Sequence, residues 1–195
     1  VCDDHDILLP AFVCFDGFIL SHTYEPVDLP SQEEVDAYLP AFKPYHRLDA
    51  DVPLSMGMYA TPEYYMEFRY EIDQAMQRSK EALIKAGREF GEQFGRDYSG
   101  LVEGYRLDDA DVAIVAMGSI CGTVKDAIDE MRDANKKVGL LKIRTYRPFP
   151  GPEIAEALKG VSTVAILDKN ISLGNAGAVG TEVKAALYGS DAAIY

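Results

Sequence analysis

The side chains able to do chemistry in this sequence cluster in three loops and one turn. Gly118-Ser119-Ile120-Cys121-Gly122-Thr123 follows an apolar run and opens a helical one. Its backbone N–H groups can receive an anion, or its glycines can simply make a tight turn. It matches neither GxGxxG nor GxxxxGK(S/T). A thiol at a helix start can be acidic and reactive, but His5, His22 and His46 are all N-terminal, so Cys121 lacks a base nearby in sequence and is expected to be buried. The second loop, Arg144-Thr145-Tyr146-Arg147-Pro148-Phe149-Pro150, offers two guanidiniums that can fork onto carboxylates or phosphates, or pin an acidic partner surface. The third, Asp168-Lys169-Asn170 through Gly174 to Gly177, is polar and glycine-bearing, suited to close approach by a ligand or a neighbouring domain. In the turn Asp16 to His22, His22 either neighbours an active site or hydrogen-bonds Asp16 to fix the turn. Acidic pairs such as Asp108/Asp109, Glu33/Glu34 and Glu130 with Asp126 and Asp129 fit solvated faces, and none is assigned a catalytic role.

The elements that must position these loops follow from hydrophobic periodicity. Val112 to Met117, Val138 to Ile143 and Val161 to Leu167 predict strands, with a last one near Ala192; Thr123 to Ala134, Glu153 to Leu158 and Ala178 to Tyr188 predict helices. This alternation implies right-handed crossovers and a three-layer α/β domain with a parallel sheet, whose carboxyl strand ends carry all three loops. Upstream, the run Leu8 to Phe15 predicts a strand buried on both faces of a parallel sheet, most of which is missing from this sequence. Ser31 with Glu34 predicts a capping box and a short helix from Gln32 to Tyr38. Thr61-Pro62-Glu63 predicts the start of a long amphipathic helix ending near Gly95, with Tyr65, Phe68, Ile72, Met76, Leu83, Phe90 and Phe94 as its packing stripe. The expected organisation is residues 1–60 as the end of one domain with its linker, 61–100 as a connecting helix, and 101–195 as the α/β domain.

Composition narrows the function classes. With 195 residues and 48% hydrophobic content the chain can bury a core, while a net charge of -13 opposes binding to nucleic-acid phosphates. No apolar run reaches the roughly 20 residues of a membrane span, so no membrane partner and a cytoplasmic location are expected. Three scattered cysteines without a CxxC pair can hold neither a disulfide framework nor an iron–sulfur cluster by themselves. The chain begins with Val and runs almost at once into an apolar segment, as a piece of a longer protein would.

These residues also carry a resemblance. Phe15-Asp16-Gly17-Phe18, Leu20-Ser21-His22-Thr23 and Glu25-Pro26-Val27 resemble the segment that closes the pyrimidine-binding domain of 2-oxoacid:ferredoxin oxidoreductase alpha subunits. Ala116-Met117-Gly118-Ser119, Gly139 through Arg144, Tyr146 to Pro150, and Leu167-Asp168-Lys169-Asn170 with Gly174 and Gly177 resemble the transketolase C-terminal-like domain of the same subunits. The resemblance covers essentially the whole chain in the family's order. It implies an enzyme that decarboxylates a 2-oxoacid with thiamine diphosphate and Mg2+, passes electrons through iron–sulfur clusters to ferredoxin, and forms an acyl-coenzyme A. Pyruvate is the expected substrate, with branched-chain 2-oxoacids as the alternative. The family's cofactor-contacting motifs match nothing here, so no catalytic, cofactor-binding or metal residue is carried over, and the chain alone is expected to bind no cofactor and to be inactive. Its expected role is structural, in contact with beta, gamma and delta subunits. Asp16, His22, Arg144, Arg147, Asp168, Lys169 and Asn170 are the candidates for active-site neighbours or interface residues. A stand-alone anion-binding α/β module is the other class kept open; a hydrolase lacks both the G-x-S-x-G elbow and a late His.

Overall fold

The computed structural model describes all residues 1–195. The chain divides into two compact units, one formed by Val1–Val13 and Glu25–Ser99, the other by Cys14–Tyr24 and Gly100–Tyr195.

In the first unit the expected capping box is present. Ser31 accepts from the Glu34 amide while the Glu34 carboxylate accepts from the Ser31 amide, starting helix α2 (Gln32–Tyr38), which follows the one-turn α1 (Ile19–His22) of the other unit. The long helix α3 spans Tyr65–Phe94 and ends on Gly95, whose φ of 71° is the left-handed conformation that glycine adopts cheaply. It starts later than Thr61-Pro62-Glu63 predicted. Residues 61–64 instead form a turn closed by the Tyr64 amide on the Thr61 carbonyl, and the helix begins without a side-chain cap. Its stripe packs only in part. Tyr38 of α2 stacks edge-on against Phe90 and Phe94, whereas Tyr65, Phe68 and Ile72 stay exposed.

The predicted strand Leu8 to Phe15 is corrected: these residues form no strand, and Phe12 and Val13 are 91% and 94% exposed. A strand needs a neighbour to satisfy its amides and carbonyls. Here Pro10 offers no amide, and the Ile7 and Leu8 amides turn back onto the Asp4 carbonyl instead.

The second unit is the α/β domain. Its strands are β1 (Val102–Tyr105), β2 (Val112–Met117), β3 (Val138–Ile143), β4 (Thr163–Leu167) and β5 (Ala193–Ile194), in the order β1-β3-β2-β4-β5. Helices α4 (Ile120–Asp133), α5 (Gly151–Ala157) and α6 (Ala178–Ala186) make the crossovers. β2, β3, β4 and β5 pair in parallel, but β1 pairs antiparallel with β3, so the sheet is mixed rather than wholly parallel. β1 escaped notice because four residues, VEGY, containing a glycine and a carboxylate, carry no strand periodicity.

Alternation along the strands feeds two cores. On one face Ala116, Val138 and Leu140 meet Cys121, Val124 and Ile128 of α4. On the other Val115, Leu141, Ile143 and Val164 meet Ile154 of α5 and Val179 and Val183 of α6. Leu140 and Leu141, adjacent in sequence and both fully buried, therefore serve opposite layers. The connection from β2 leads to β3 on one side, and that from β3 returns across the sheet to β4 on the other. The strand order thus reverses between the parallel neighbours β2 and β4. In open sheets this is the place where ligands sit, at the carboxyl ends.

Candidate functional site

The loops after β2 and β4 meet at that reversal, and Asp16 lies between them. One Asp16 oxygen accepts from the Ser119 amide at 3.0 Å and from the Ser119 hydroxyl; the other accepts from Lys169 Nζ at 3.1 Å. Ser119 immediately precedes α4, so its amide is an orphan donor of a helix start. The Ser119 hydroxyl first, then its amide and Lys169, hold the Asp16 carboxyl at about 2, well below the usual range. Asp16 and Lys169 were both candidates by sequence; their pairing, and Ser119 as the bridge, were not foreseen.

His22 is not a partner of Asp16. Its Nδ1 lies 2.8 Å from Ser21 Oγ and 3.1 Å from the Phe18 carbonyl oxygen, and its ring rests against Phe18, so the turn is fixed locally. Asp168 is spent on its own loop: one oxygen accepts from the Asn170 amide at 3.0 Å, the other from the Gly180 amide in the first turn of α6 at 3.2 Å. The close approach that the glycines promised is thus made by the chain's own carboxylate.

The two arginines separate. Arg144 donates through Nε and Nη2 to Glu103 on β1, at 3.2 and 2.9 Å. Arg147 forks onto Glu182 of α6, with Nη1 2.8 Å from Oε2, and lies 4.2 Å above the Tyr146 ring. Tyr146 donates its hydroxyl to the same Glu182 carboxylate. Burial first, and then Glu182, push the Tyr146 phenol up. Sequence reading missed Glu103 and Glu182, since nothing at helical or strand spacing links them to the arginines. A solitary acid inside the short apolar stretch Leu101 to Tyr105 was the available signal.

Glu103 also accepts from Lys125 of α4 at 2.7 Å and has Lys142 of β3 at 3.6 Å, so one carboxylate ties the edge strand to a helix and to the next strand. Lys125 first, then Arg144 and Lys142, bring its carboxyl down from the ordinary 4.5 to about 2, against the cost of desolvation. A depressed acid stabilises the fold above its unfolded pKa, and that stabilisation is lost as pH falls from 4.5 towards 2. Discounted for screening at this partly buried cluster, about 1–2 kcal/mol should disappear across that window. Urea titrations of wild type and Glu103→Gln at stepped pH check this: the variant should show a flatter acid limb, and equal slopes would remove Glu103 from the account.

The residues present do not fit a metal ion or an iron–sulfur cluster held by this chain's own side chains. No group of three or more His, Cys, Asp or Glu side chains converges as a metal would need. Cys121 is 2% exposed, as expected, and burial pushes its thiol up, away from the thiolate that ligates iron. A concavity beside α2 and α3 is lined by Ala37, Tyr38, Glu89, Glu92 and Gln93, and its two carboxylates would repel a diphosphate.

Two family descriptions match the chain. Residues 4–87 match "Pyruvate flavodoxin/ferredoxin oxidoreductase, thiamine diP-bdg", and residues 110–195 match "Pyruvate:ferredoxin oxidoreductase core domain II". Pyruvate synthase subunit PorA of Methanothermobacter thermautotrophicus is 56% identical over 187 residues, 96% of this chain and 49% of that protein. The PorA subunit of Methanosarcina barkeri is 48% identical over 97% of this chain and 48% of its own length. Ketoisovalerate oxidoreductase subunit VorA of Pyrococcus abyssi is 46% identical over 94% of this chain and 47% of its own length. The chain thus spans about half the length of the curated relatives it matches. Among solved structures, a 2-oxoglutarate:ferredoxin oxidoreductase from Magnetococcus marinus aligns with a TM-score of 0.46 at 15% identity, over 70% of this chain and 20% of that one.

Proposed function

Since this chain belongs to the pyruvate:ferredoxin oxidoreductase family, we propose that it contributes a structural part of the alpha subunit of an enzyme that oxidatively decarboxylates pyruvate, forms an acyl-coenzyme A and reduces ferredoxin. Thiamine diphosphate, Mg2+ and iron–sulfur clusters would supply the decarboxylation and electron-transfer chemistry from elsewhere in the complete enzyme. Residues 1–60 would close the pyrimidine-binding domain, 61–100 connect, and 101–195 form the transketolase C-terminal-like domain; the separate family matches at 4–87 and 110–195 favour a boundary near residue 100, while the first runs through 61–87 without a break at 60. Beta, gamma and delta subunits would be its partners. A cytoplasmic location accords with the lack of any helix long and apolar enough to cross a membrane.

One observation carries the structural role. Asp16, Arg144, Arg147, Asp168 and Lys169, the charged candidates near the carboxyl strand ends, all have partners within the α/β unit itself. They shape loops and leave no converging set of groups aimed at a substrate. The match to a ketoisovalerate oxidoreductase subunit favours branched-chain 2-oxoacids as the second substrate reading.

Both are settled by oxoacid-dependent, coenzyme A-dependent reduction of a viologen dye, measured on the chain alone and on the complete assembly with candidate beta, gamma and delta subunits. Turnover by the assembly only, faster with pyruvate than with 2-oxoisovalerate, is expected. Turnover by the chain alone would overturn the structural role, and preference for 2-oxoisovalerate would replace the substrate.

A further inference from the structure

We infer that residues Arg96 to Ser99 form a clasp: the chain turns back after α3 and seats its backbone in a groove made by Gly87 and Gly91, so the passage from α3 towards β1 is a held turn and not a free linker. The two glycines lie four residues apart and share a face of the helix. A Cβ on Gly91 would come within 2.9 Å of the Asp97 Cα, and a Cβ on Gly87 within 2.6 Å of the Tyr98 carbonyl carbon and 2.7 Å of the Ser99 Cα. Residues after the reversal therefore run back along α3, one turn of helix for about two residues of chain. The lengths agree, since two extended residues cover about 7 Å and one helical turn about 5.4 Å. Gly95 makes the reversal, left-handed at φ 71° with its amide on the Gly91 carbonyl.

Other contacts hold the same segment. The Tyr98 ring lies 5.8 Å from that of Phe90, and the Arg96 guanidinium sits 5.5 Å over the Phe90 ring. Phe90 in turn packs against Tyr38 of α2, whose hydroxyl donates to the Ala86 carbonyl at 2.8 Å, beside the groove. The Asp97 carboxylate accepts from the Ser99 amide at 2.7 Å, a local turn that stiffens the returning chain. Beyond it, the buried Leu101 offers its carbonyl to the Arg144 and Thr145 amides at 2.9 and 3.1 Å. One residue, Gly100, separates the two fastened stretches, so bending of this connection is confined to it. The clasp rests on contacts that are made inside the first unit and does not depend on which oxoacid the enzyme uses.

Glycine weakens a helix interior relative to alanine, and this gives the test its sign. Were the groove empty, Gly87→Ala and Gly91→Ala in the full chain would each raise the melting temperature, read from the helical circular dichroism, by about 2–4 °C. With the clasp seated, both should lower it, by about 4 °C or more for Gly87→Ala and about 2 °C for Gly91→Ala. Gly122→Ala in α4, where a Cβ meets nothing within 4 Å, is the control and should not lower it. Trypsin supplies a local readout. Cleavage after Arg96 should be about tenfold slower than cleavage after Arg47 in wild type, and about fivefold faster in Gly91→Ala than in wild type with the Arg47 rate unchanged. Should Gly87→Ala fail to fold, Gly91→Ala decides. A melting temperature raised by Gly91→Ala, cleavage after Arg96 unchanged in that variant, or wild-type cleavage after Arg96 as fast as after Arg47 would each overturn the clasp.

Discussion

Leu141→Ala is expected to lower the unfolding free energy of the α/β unit by about 3 kcal/mol. Leu141 is fully buried on β3, between β1 and β2, and its side chain belongs to the layer that β2 and β4 share with α5 and α6. Truncation removes buried methyl groups and leaves a cavity with backbone ladders on both sides. A central strand cannot slide to fill it without breaking its register with Val115 and Gly104. Urea unfolding of the full chain followed by far-ultraviolet circular dichroism measures the cost. Leu173→Ala, at a residue 94% exposed, is the matched control and should change stability by less than about 0.5 kcal/mol. A Leu141 cost no larger than the control would mean that the α5 and α6 layer is loosely packed.

Gly177→Ala is the second large effect, at about 1–3 kcal/mol. The φ of Gly177 is -62° with ψ 147°, a conformation open to any residue, so backbone strain is not the reason for glycine. Space is. A Cβ there would come within 2.6 Å of the Asp168 Cγ and 2.9 Å of the Asn170 carbonyl oxygen. The Asp168 carboxylate would have to swing away and give up the Gly180 amide at the start of α6. If so, removing the carboxylate relieves the clash. The double variant Asp168→Ala with Gly177→Ala should be less destabilised than the sum of the two single variants, by about 1 kcal/mol. Strict additivity in urea unfolding would place the cost on the Asn170 carbonyl instead.

Much of the α/β unit was legible in the chain. Strands β2 and β3 lie where their apolar runs predicted, because central strands buried on both faces need continuous hydrophobic sequence. The Ser31 capping box was likewise readable, since its partners are three residues apart. The failures share a cause. The Leu8 to Phe15 run has strand composition but no pairing partner in the structure, and β1 has a partner but no strand composition. Pairing, which lies outside either segment, decided both.

The same division holds at the candidate site. Residue type and spacing by themselves determined the layered α/β class, the positions of the three carboxyl-end loops and the burial of Cys121, since these depend on local periodicity. Only the tertiary structure decided that Asp16 meets Ser119 and Lys169, that Arg144 and Arg147 serve different carboxylates, and that Asp168 closes its own loop. Charged side chains find partners by proximity in space, and the crossovers of a doubly wound sheet bring together residues more than a hundred positions apart, which no periodicity along the chain records.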